Sequence, residues 1–347
     1  MPKTGFLITN LGTPASPAIK DVRRYLKEFL LDGYVLDVPK PLRHLIVNGL
    51  ILPFRPKKSA AAYASIWTER GSPLLLHSEA LKEALEPLVD APLAMGMRYG
   101  NPSLASAVDE LAAQGVTHIV CIPLYPQYAD STVTTSIDVI NAHLPNGVSV
   151  EYVTAFYDDQ DYIAALAQSV TNSLPNGFDH LLMSYHGLPE RHMKKADPTG
   201  NHCLQSANCC DKESSAHATC YRHQVFATSA ALARALALTP EQYTVSFQSR
   251  LGGGWLQPYT DKLLEQLPTQ GIKSLAVICP AFVADNLETL EEINIRGRDT
   301  FMAAGGESLH LIPCLNSDNA WTHALAKLLT RRDNTSQTVS ASAETSA

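Results

Sequence analysis

The sequence of 347 residues lacks any long apolar run. Its most apolar internal stretch, residues 45–54, is interrupted by Asn48, Gly49 and Pro53, whereas a membrane-spanning helix needs about 20 apolar residues. The apolar run at residues 6–11 is too short for the core of a signal peptide, and no cleavage-like segment follows it. We therefore expect a soluble, cytoplasmic protein that is at most peripheral to the inner membrane.

Positive charge is also scarce, because 27 Lys and Arg residues stand against 34 Asp and Glu residues, for a net charge of −7. Proteins that bind nucleic acid over a broad surface carry an excess of basic residues, so we expect no nucleic-acid partner. The 45% hydrophobic and 18% charged residues are ordinary for folded domains and exclude a fibrous or wholly disordered chain. At about 150 residues per domain, the length predicts two domains or one large one.

Short apolar, β-branched runs alternate with segments of helical spacing along the whole chain. The predicted strands are 6–10, 92–99, 118–124, 148–154, 180–185, 243–248, 274–279 and 309–313, and the predicted helices include 78–88, 104–113, 162–174, 227–238 and 261–267. Strands that alternate with helices predict an α/β fold with parallel sheets covered by helices on both faces.

The chain also repeats a local pattern. One helical segment is followed by Gln114-Gly115 and then by a strand. The same order recurs 156 residues later, where a helical segment is followed by Gln270-Gly271 and a strand. Two similar α/β domains explain this repeat, although any two helix–strand units share some likeness. We predict an N-terminal Rossmann-like domain over 1–155, a C-terminal one over 156–330, and a disordered tail over 331–347, which is rich in Ser, Thr, Ala and Asn.

Three segments that follow predicted strands carry polar groups suited to chemistry, because ligands of open parallel sheets bind beyond the carboxyl ends of strands. In 184–189, His186 suits proton transfer or metal binding, unless it is a structural histidine at a strand end. In 280–292, Glu288 and Glu292 share one helix face, unless they only form a solvated acidic helix start. In 248–258, Trp255 suits contact with a flat aromatic ligand, unless it lies in a simple turn.

Together with other strings along the chain, these segments resemble the ferrochelatase family, whose members insert Fe²⁺ into a porphyrin in the last step of haem synthesis. The matching motifs, spread between about Lys3 and Leu329, are Asn10-Leu11-Gly12-Thr13-Pro14, Arg70-Gly71-Ser72-Pro73, Met97-Arg98-Tyr99-Gly100, Pro123-Leu124-Tyr125-Pro126-Gln127-Tyr128, Ser184–Pro189, Gln248-Ser249 with Trp255, and Glu288-Thr289-Leu290. One such motif would be weak evidence, but all of these motifs in this order are highly specific for the family.

The resemblance implies a lyase with two Rossmann-like domains and the porphyrin in the cleft between them. It also implies that His186 and Glu288, the latter on a π-bulged helix, form the Fe²⁺ site, and that Glu292 belongs to an acidic path for metal or protons. The substrate-binding residues that it implies are Arg98, Tyr99, Tyr125 and Trp255. Asn286 and Arg296 depart from the animal pattern, which has a histidine and an acidic residue there, so the acidic row is shorter in this chain.

Four of the seven cysteines crowd into the insert 199–220. They are Cys203, Cys209, Cys210 and Cys220, with the spacing C-x5-C-C-x9-C. Four thiolates are the right number for a 2Fe-2S cluster, and some bacterial ferrochelatases are similar in holding one on an internal insert, so we predict that cofactor. A zinc site with His202, His217 or His223 as spare ligands and a loop of free thiols are the alternatives.

Leu11 replaces a tyrosine that is typical of family members acting on coproporphyrin, so the resemblance favours protoporphyrin IX as substrate. The apolar stretch 45–54, followed by Arg55, Lys57 and Lys58, is either a lip that touches an anionic membrane or a helix packed on its own domain. Rival functions are a chelatase for Co²⁺ or Ni²⁺ and a haem-binding or redox-sensing module without turnover. The oligomeric state is not predicted.

Overall fold

The computed structural model describes residues 2–174, 177–331 and 337–340. Helices and strands alternate through most of this part of the chain, as the apolar pattern predicts. The strands are β1 Thr4–Gly12, β2 Leu93–Tyr99, β3 His118–Pro123, β4 Ser149–Tyr152, β5 His180–His186, β6 Tyr243–Gln248, β7 Ser274–Ile278, β8 Ser308–Leu311 and β9 Gln337–Ser340. The eight predicted strands are confirmed within two residues at every end, because each is an apolar run bounded by a turn.

The helices lie between these strands. They are α1 Ile19–Leu30, α2 Lys40–Leu45, α3 Arg55–Ile66, α4 Pro73–Leu85, α5 Leu104–Ala113, α6 Thr135–His143, α7 Gln160–Ser173, α8 Glu190–Lys195, α9 Tyr221–Ala235, α10 Thr260–Gln266, α11 Arg298–Ala303 and α12 Asn319–Thr330. Two longer π-helical segments, Ile46–Ile51 and Glu288–Gly297, interrupt the α-helical pattern. The second confirms that the helix carrying Glu288 and Glu292 is π-bulged.

The chain forms two compact units. The first contains residues 1–124, 130–155 and 317–347, and the second contains residues 125–129 and 156–316. The chain passes from the first unit to the second after residue 155 and returns to the first after residue 316. Helix α12 packs on α4 and β3 of the first unit, because its buried face, which includes Trp321, Leu325 and Leu329, covers that unit's core.

Each unit has its own sheet. In the first, the order is β2-β1-β3-β4-β9, with β1 to β4 parallel and β9 antiparallel to β4. In the second, the order is β6-β5-β7-β8, and all neighbours are parallel. The four parallel strands therefore follow the same order in both units, and the predicted α/β class with two similar Rossmann-like domains is confirmed.

The repeated Gln-Gly pairs occupy equivalent places in the two units. Gly115 and Gly271 adopt φ values of 76° and 93° just before β3 and β7, which are the third strands of the two sheets in chain order. Glycine reaches this left-handed conformation at no steric cost, so it suits the end of a helix there.

The chain end departs in part from the predicted disordered tail. Gln337–Ser340 forms β9, with Val339 opposite Val150 of β4. The remainder of the predicted tail after Arg331 lies outside the described residues. In the part of the chain that the structure describes, no helix combines the length and the apolar character needed to cross a membrane.

Candidate active site and cysteine insert

His186 is the last residue of β5, and its local contacts fix one ring nitrogen. Its Nδ1 lies 2.7 Å from the carbonyl oxygen of Gly187, which can only accept a hydrogen bond. The proton is therefore assigned to Nδ1, which leaves the lone pair of Nε2 available to a metal ion or a proton. Burial lowers the pKa of His186 below 6.5, while Glu292 and the bond to Gly187 act in the opposite direction. The half-buried imidazole is thus held mainly in its neutral, basic form.

Gln248 connects the end of β5 to the segment that carries Glu288. It lies opposite His186 in the β5–β6 register, and its Nε2 donates to the backbone carbonyl of Glu288 at 2.9 Å. Its Oε1 accepts from the hydroxyl of Ser184 at 2.7 Å. Ser184 and Gln248 are both buried, so this amide has a fixed orientation and holds the start of the π-helical segment against the strand that ends in His186.

The start of the π-helical segment is fixed a second time by Asp285 and Asn316. Asp285 is buried and accepts from the Nδ2 of Asn316 at 2.8 Å and from the hydroxyl of Thr289 at 3.0 Å. The side-chain oxygen of Asn316 in turn accepts from the backbone N–H of Asp285. Sequence reasoning missed Asn316, and its φ of 49° is a conformation that asparagine tolerates better than most residues.

Glu292, one turn after Glu288, has a different set of partners. Its carboxylate accepts from both the backbone N–H and the hydroxyl of Ser249, at 2.9 Å and 2.5 Å. Ser249 adopts a φ of 64°, which is unusual for a residue with a side chain, and these two bonds hold it there. The guanidinium of Arg296 lies 4.0 Å from the same carboxylate. The residue that departs from the animal pattern therefore supplies a cation next to this carboxylate.

Trp255 is half-buried beside the backbone that follows His186. The backbone N–H of Leu256 donates to the carbonyl of Leu188, and the N–H of Glu190 donates to the carbonyl of Gly254. A Cβ on Gly187 would lie 2.8 Å from the carbonyl oxygen of Gln248 and 3.5 Å from the ring of Trp255. His186, Glu288, Glu292 and Trp255 all belong to the second unit, as does Tyr125, which is buried.

Arg98 and Tyr99, the other two predicted substrate-binding residues, lie at the end of β2 in the first unit. Both are held by Asp32, whose Oδ2 accepts from Arg98 Nη2 at 2.5 Å and from the Tyr99 hydroxyl at 2.8 Å. The Tyr99 ring is fully buried, and the Arg98 side chain is 15% exposed. Sequence reasoning missed Asp32, because a carboxylate at the end of a helix gives no local signal of a partner 66 residues away.

The cysteine insert begins with a tight turn around Asp197. Its carboxylate accepts from the backbone N–H groups of Thr199, His202 and Cys203, which lowers the pKa of Asp197 far below its usual range. Three of the four cysteines of the insert, Cys203, Cys209 and Cys220, are buried, and Cys210 is half-buried. The turn therefore orients the first cysteine of the insert toward the interior.

The thiols of the insert interact with one another. Interaction with Cys210 lowers the pKa of Cys220 and raises that of Cys210, while burial is the main cause that raises the pKa of Cys203. The backbone N–H of Leu204 donates to the Sγ of Cys209 at 3.4 Å. Among the described residues, no group of three or more His, Cys, Asp or Glu side chains is arranged around a single metal ion.

Two histidines of the insert, and His223 at the start of α9, each have a ring nitrogen beside a backbone carbonyl oxygen. His202 Nε2 lies 2.8 Å and His217 Nε2 3.5 Å from the carbonyl oxygen of Cys209, and His223 Nδ1 lies 2.9 Å from that of Cys210. The rings of His217 and His223 stack at 3.5 Å. These contacts place the three histidines against the backbone that carries the two adjacent cysteines.

Comparison with known proteins agrees with this architecture. A family model described as Ferrochelatase matches residues 3–333. The chain is 49% identical to the ferrochelatase of Stutzerimonas stutzeri, over 95% of this chain and 98% of that protein, and 50% identical to that of Azotobacter vinelandii, over 93% and 97%. Among solved structures, SirB from Bacillus subtilis with Fe³⁺ matches 94% of this chain and 93% of its own, at a TM-score of 0.53 and 12% identity.

The structural likeness to SirB concerns the fold alone, since the two sequences are so different. The family match covers nearly the whole chain, and both relatives are aligned over almost their full lengths. This chain belongs to the ferrochelatase family.

Proposed function

We propose that His186 and Glu288 bind the Fe²⁺ substrate and take part in removing the two pyrrole protons of the porphyrin. The chain is a ferrochelatase, a lyase that inserts Fe²⁺ into porphyrin in haem synthesis. The observation that carries the residue assignment is the free Nε2 of His186 at the end of β5. His186 lies opposite Gln248 in the β5–β6 register, and the side chain of Gln248 holds the backbone of Glu288.

The chemistry of the reaction fits these two groups. Two N–H protons leave the porphyrin as the metal enters, so the site needs a base that is neutral before the reaction. Burial keeps the pKa of His186 low, which favours the unprotonated imidazole. Imidazole nitrogen and carboxylate oxygen are both suitable ligands for Fe²⁺, so the same pair can hold the metal as its waters leave.

Glu292 is proposed as the next acceptor on the path of protons or metal. Its electrostatic attraction raises the pKa of His186, which means that a proton on the imidazole is stabilised by this carboxylate. The two donors from Ser249 keep the carboxylate oriented. Arg296 at 4.0 Å offsets part of its negative charge. The acidic row is therefore proposed to end at Glu292 in this chain.

Trp255, Tyr125, Arg98 and Tyr99 are proposed as porphyrin-binding residues, with protoporphyrin IX as the substrate. The half-buried indole of Trp255 is fixed beside Gly187 and has the flat apolar face that a macrocycle requires. Arg98 supplies a partly exposed guanidinium that can pair with a propionate. Tyr99 and Tyr125 are buried, so their proposed part is to support the residues that touch the substrate.

The assignment is tested by steady-state insertion assays under anaerobic conditions with Glu288→Gln and the exposed control Glu307→Gln. We expect Glu288→Gln to reduce turnover by about 10²–10⁴-fold, the usual contribution of a positioned acid or base, while protoporphyrin binding measured by fluorescence is retained. Glu307→Gln should behave as the wild type. Equal turnover in the two variants would contradict the role of Glu288. Faster insertion of Fe²⁺ into coproporphyrin than into protoporphyrin IX would contradict the substrate assignment.

A 2Fe-2S cluster held by Cys203, Cys209, Cys210 and Cys220 is proposed as a resident cofactor. Three of the four cysteines are buried, Cys210 is half-buried, and N–H groups of Leu204 and Arg222 reach the sulfur of Cys209, as is common around iron–sulfur clusters. Such a cluster supplies a one-electron redox centre or a structural cross-link. The iron and acid-labile sulfide content of anaerobically purified protein tests it, since zinc without sulfide would favour the alternative site.

The apolar stretch 45–54, together with the basic residues that follow it, is proposed as a lip that contacts an anionic membrane. Leu45, Leu50 and Phe54 are 67%, 65% and 77% exposed, and Arg55, Lys57 and Lys58 are exposed beside them. Apolar side chains next to cations suit the boundary of an anionic bilayer. Phe54→Ser should weaken co-sedimentation with anionic vesicles, whereas Met302→Ser, at an exposed position of the second unit, should not. Equal sedimentation of both variants would contradict the proposal.

A further inference from the structure

Arg222, the second residue of α9, reaches the sulfur atoms of the cysteine insert. Its Nη1 donates to the Sγ of Cys210 at 3.2 Å and to the Sγ of Cys209 at 3.6 Å. The guanidinium also lies 4.9 Å from the ring centre of Phe226, one helical turn later. A permanent cation is thus fixed against the two adjacent cysteines by its own helix.

In the described part of the chain, the guanidinium of Arg222 contacts the sulfur atoms of Cys209 and Cys210, the carbonyl of Ala207 and the ring of Phe226, and none of these partners is a carboxylate. Its side chain is only partly exposed, so solvent screens the charge less than at the surface. Ring nitrogens of the nearby His202 and His223 contact the carbonyl oxygens of Cys209 and Cys210, and these contacts do not involve the sulfur atoms. The guanidinium is therefore placed to act on the charge of the thiolates themselves.

We propose that Arg222 sets the reduction potential of the 2Fe-2S cluster by stabilising its reduced state. This inference rests on the proposed cluster. Reduction adds one electron, supplied in a titration by a chemical reductant through a redox mediator, and neither breaks a bond nor releases a ligand. The extra negative charge is shared by the cluster and its thiolates, so N–H donors and a positive charge at the sulfur atoms stabilise the reduced form and raise the potential.

The experiment is a mediated redox titration of the cluster-loaded full chain, followed by visible absorbance, in the wild type, Arg222→Gln, Arg222→Lys and Arg234→Gln. Arg234 is exposed on the same helix, so its substitution removes the same charge without a sulfur contact. We expect Arg222→Gln to lower the equilibrium constant for reduction at least tenfold, which is about 59 mV for a one-electron couple. Arg222→Lys should fall between this variant and the wild type, and Arg234→Gln should match the wild type.

The outcomes separate the inference from the cluster itself. A wild-type protein that carries no iron and sulfide would overturn both. A loaded Arg222→Gln protein with an unchanged potential would overturn the role of Arg222 and leave the cluster in place. If both Arg222 variants lose the cluster while Arg234→Gln keeps it, Arg222 is needed for assembly, and the inference as stated is wrong.

Discussion

At the scale of single residues, Gly187 shows how the backbone beside the proposed base limits substitution. The residue follows His186, and its Cα lies so close to the carbonyl of Gln248 that an added Cβ would be 2.8 Å from that oxygen. A backbone atom of a paired strand cannot move aside as a flexible side chain would. The fit of β5, β6 and the Trp255 segment therefore depends on the absence of a side chain here.

Gly187→Ala should accordingly reduce porphyrin insertion strongly, because the shift needed to relieve this contact moves His186 and Trp255. Turnover measured with Fe²⁺ and protoporphyrin IX is the test. Gly253→Ala is the matched control, since a Cβ there has no neighbour within 4 Å, and it should retain most of the activity. An active Gly187→Ala protein would show that the site tolerates movement between these two segments.

His180 at the start of β5 predicts a pH dependence of stability. Burial lowers its pKa from 6.5, and its Nε2 lies 2.9 Å from the hydroxyl of Thr244. Below pH 6.5 the unfolded chain binds a proton at this residue that the folded chain binds only at lower pH. The free energy of unfolding therefore falls as the pH falls from 6.5 through the folded pKa of His180.

His180→Gln should make the urea-unfolding free energy of the protein less dependent on pH between 7 and 5, because the substituted side chain does not titrate. The exposed His323, substituted in the same way, is the matched control for the loss of a histidine side chain. A slope that is the same in all three proteins would mean that the protonation of His180 does not differ between the folded and unfolded states.

At the scale of elements, the strands were predictable and the π-helical segments were not predictable from the residues alone. Each strand is a short apolar run with a turn at its end, so its place follows from local pattern; Tyr243–Gln248 was predicted to the residue. The π-helical segment Glu288–Gly297 is held by long-range contacts at its start: Gln248 bonds the backbone of Glu288, 40 residues away, and Asn316 bonds Asp285, 31 residues away. It was expected here only through the family resemblance.

The contact between Asn316 and Asp285 gives the prediction at this scale. Asn316→Ala removes a donor from the buried carboxylate of Asp285 and places alanine at a φ of 49°. We expect a loss of about 1–3 kcal/mol in unfolding free energy, because a buried charged acceptor loses a partner, and faster hydrogen exchange over 286–297. The exposed Asn319→Ala is the control, and unchanged exchange in both variants would contradict the anchoring role of Asn316.

At the scale of the whole molecule, two similar α/β domains were predictable from the repeated Gln-Gly pairs, but the path of the chain end was not. Helix α12 follows the last strand of the second unit in sequence and yet packs on the first unit. Helical periodicity shows that a helix has an apolar face and does not show which core that face covers. For the same reason, the pairing of Arg98 with Asp32 could not be read from local sequence.

Trp321 tests the placement of α12. Its side chain is fully buried, so Trp321→Ala should reduce the unfolding free energy by about 3–5 kcal/mol, as for large aromatic side chains removed from a core. Denaturation in urea followed by circular dichroism measures this loss. His323→Ala, two residues later and exposed, should cost little, and equal stability of the two variants would mean that α12 does not complete the core of the first unit.

The central claim is that His186 acts directly in the insertion of Fe²⁺ into the porphyrin. The measurement is an anaerobic absorbance time course with protoporphyrin IX and Fe²⁺ for the wild type, His186→Ala and the exposed control His323→Ala. We predict that the wild type and His323→Ala develop the metalloporphyrin spectrum, while His186→Ala binds the porphyrin and leaves it metal-free. A His186→Ala protein that forms metalloporphyrin at the wild-type rate would contradict this account.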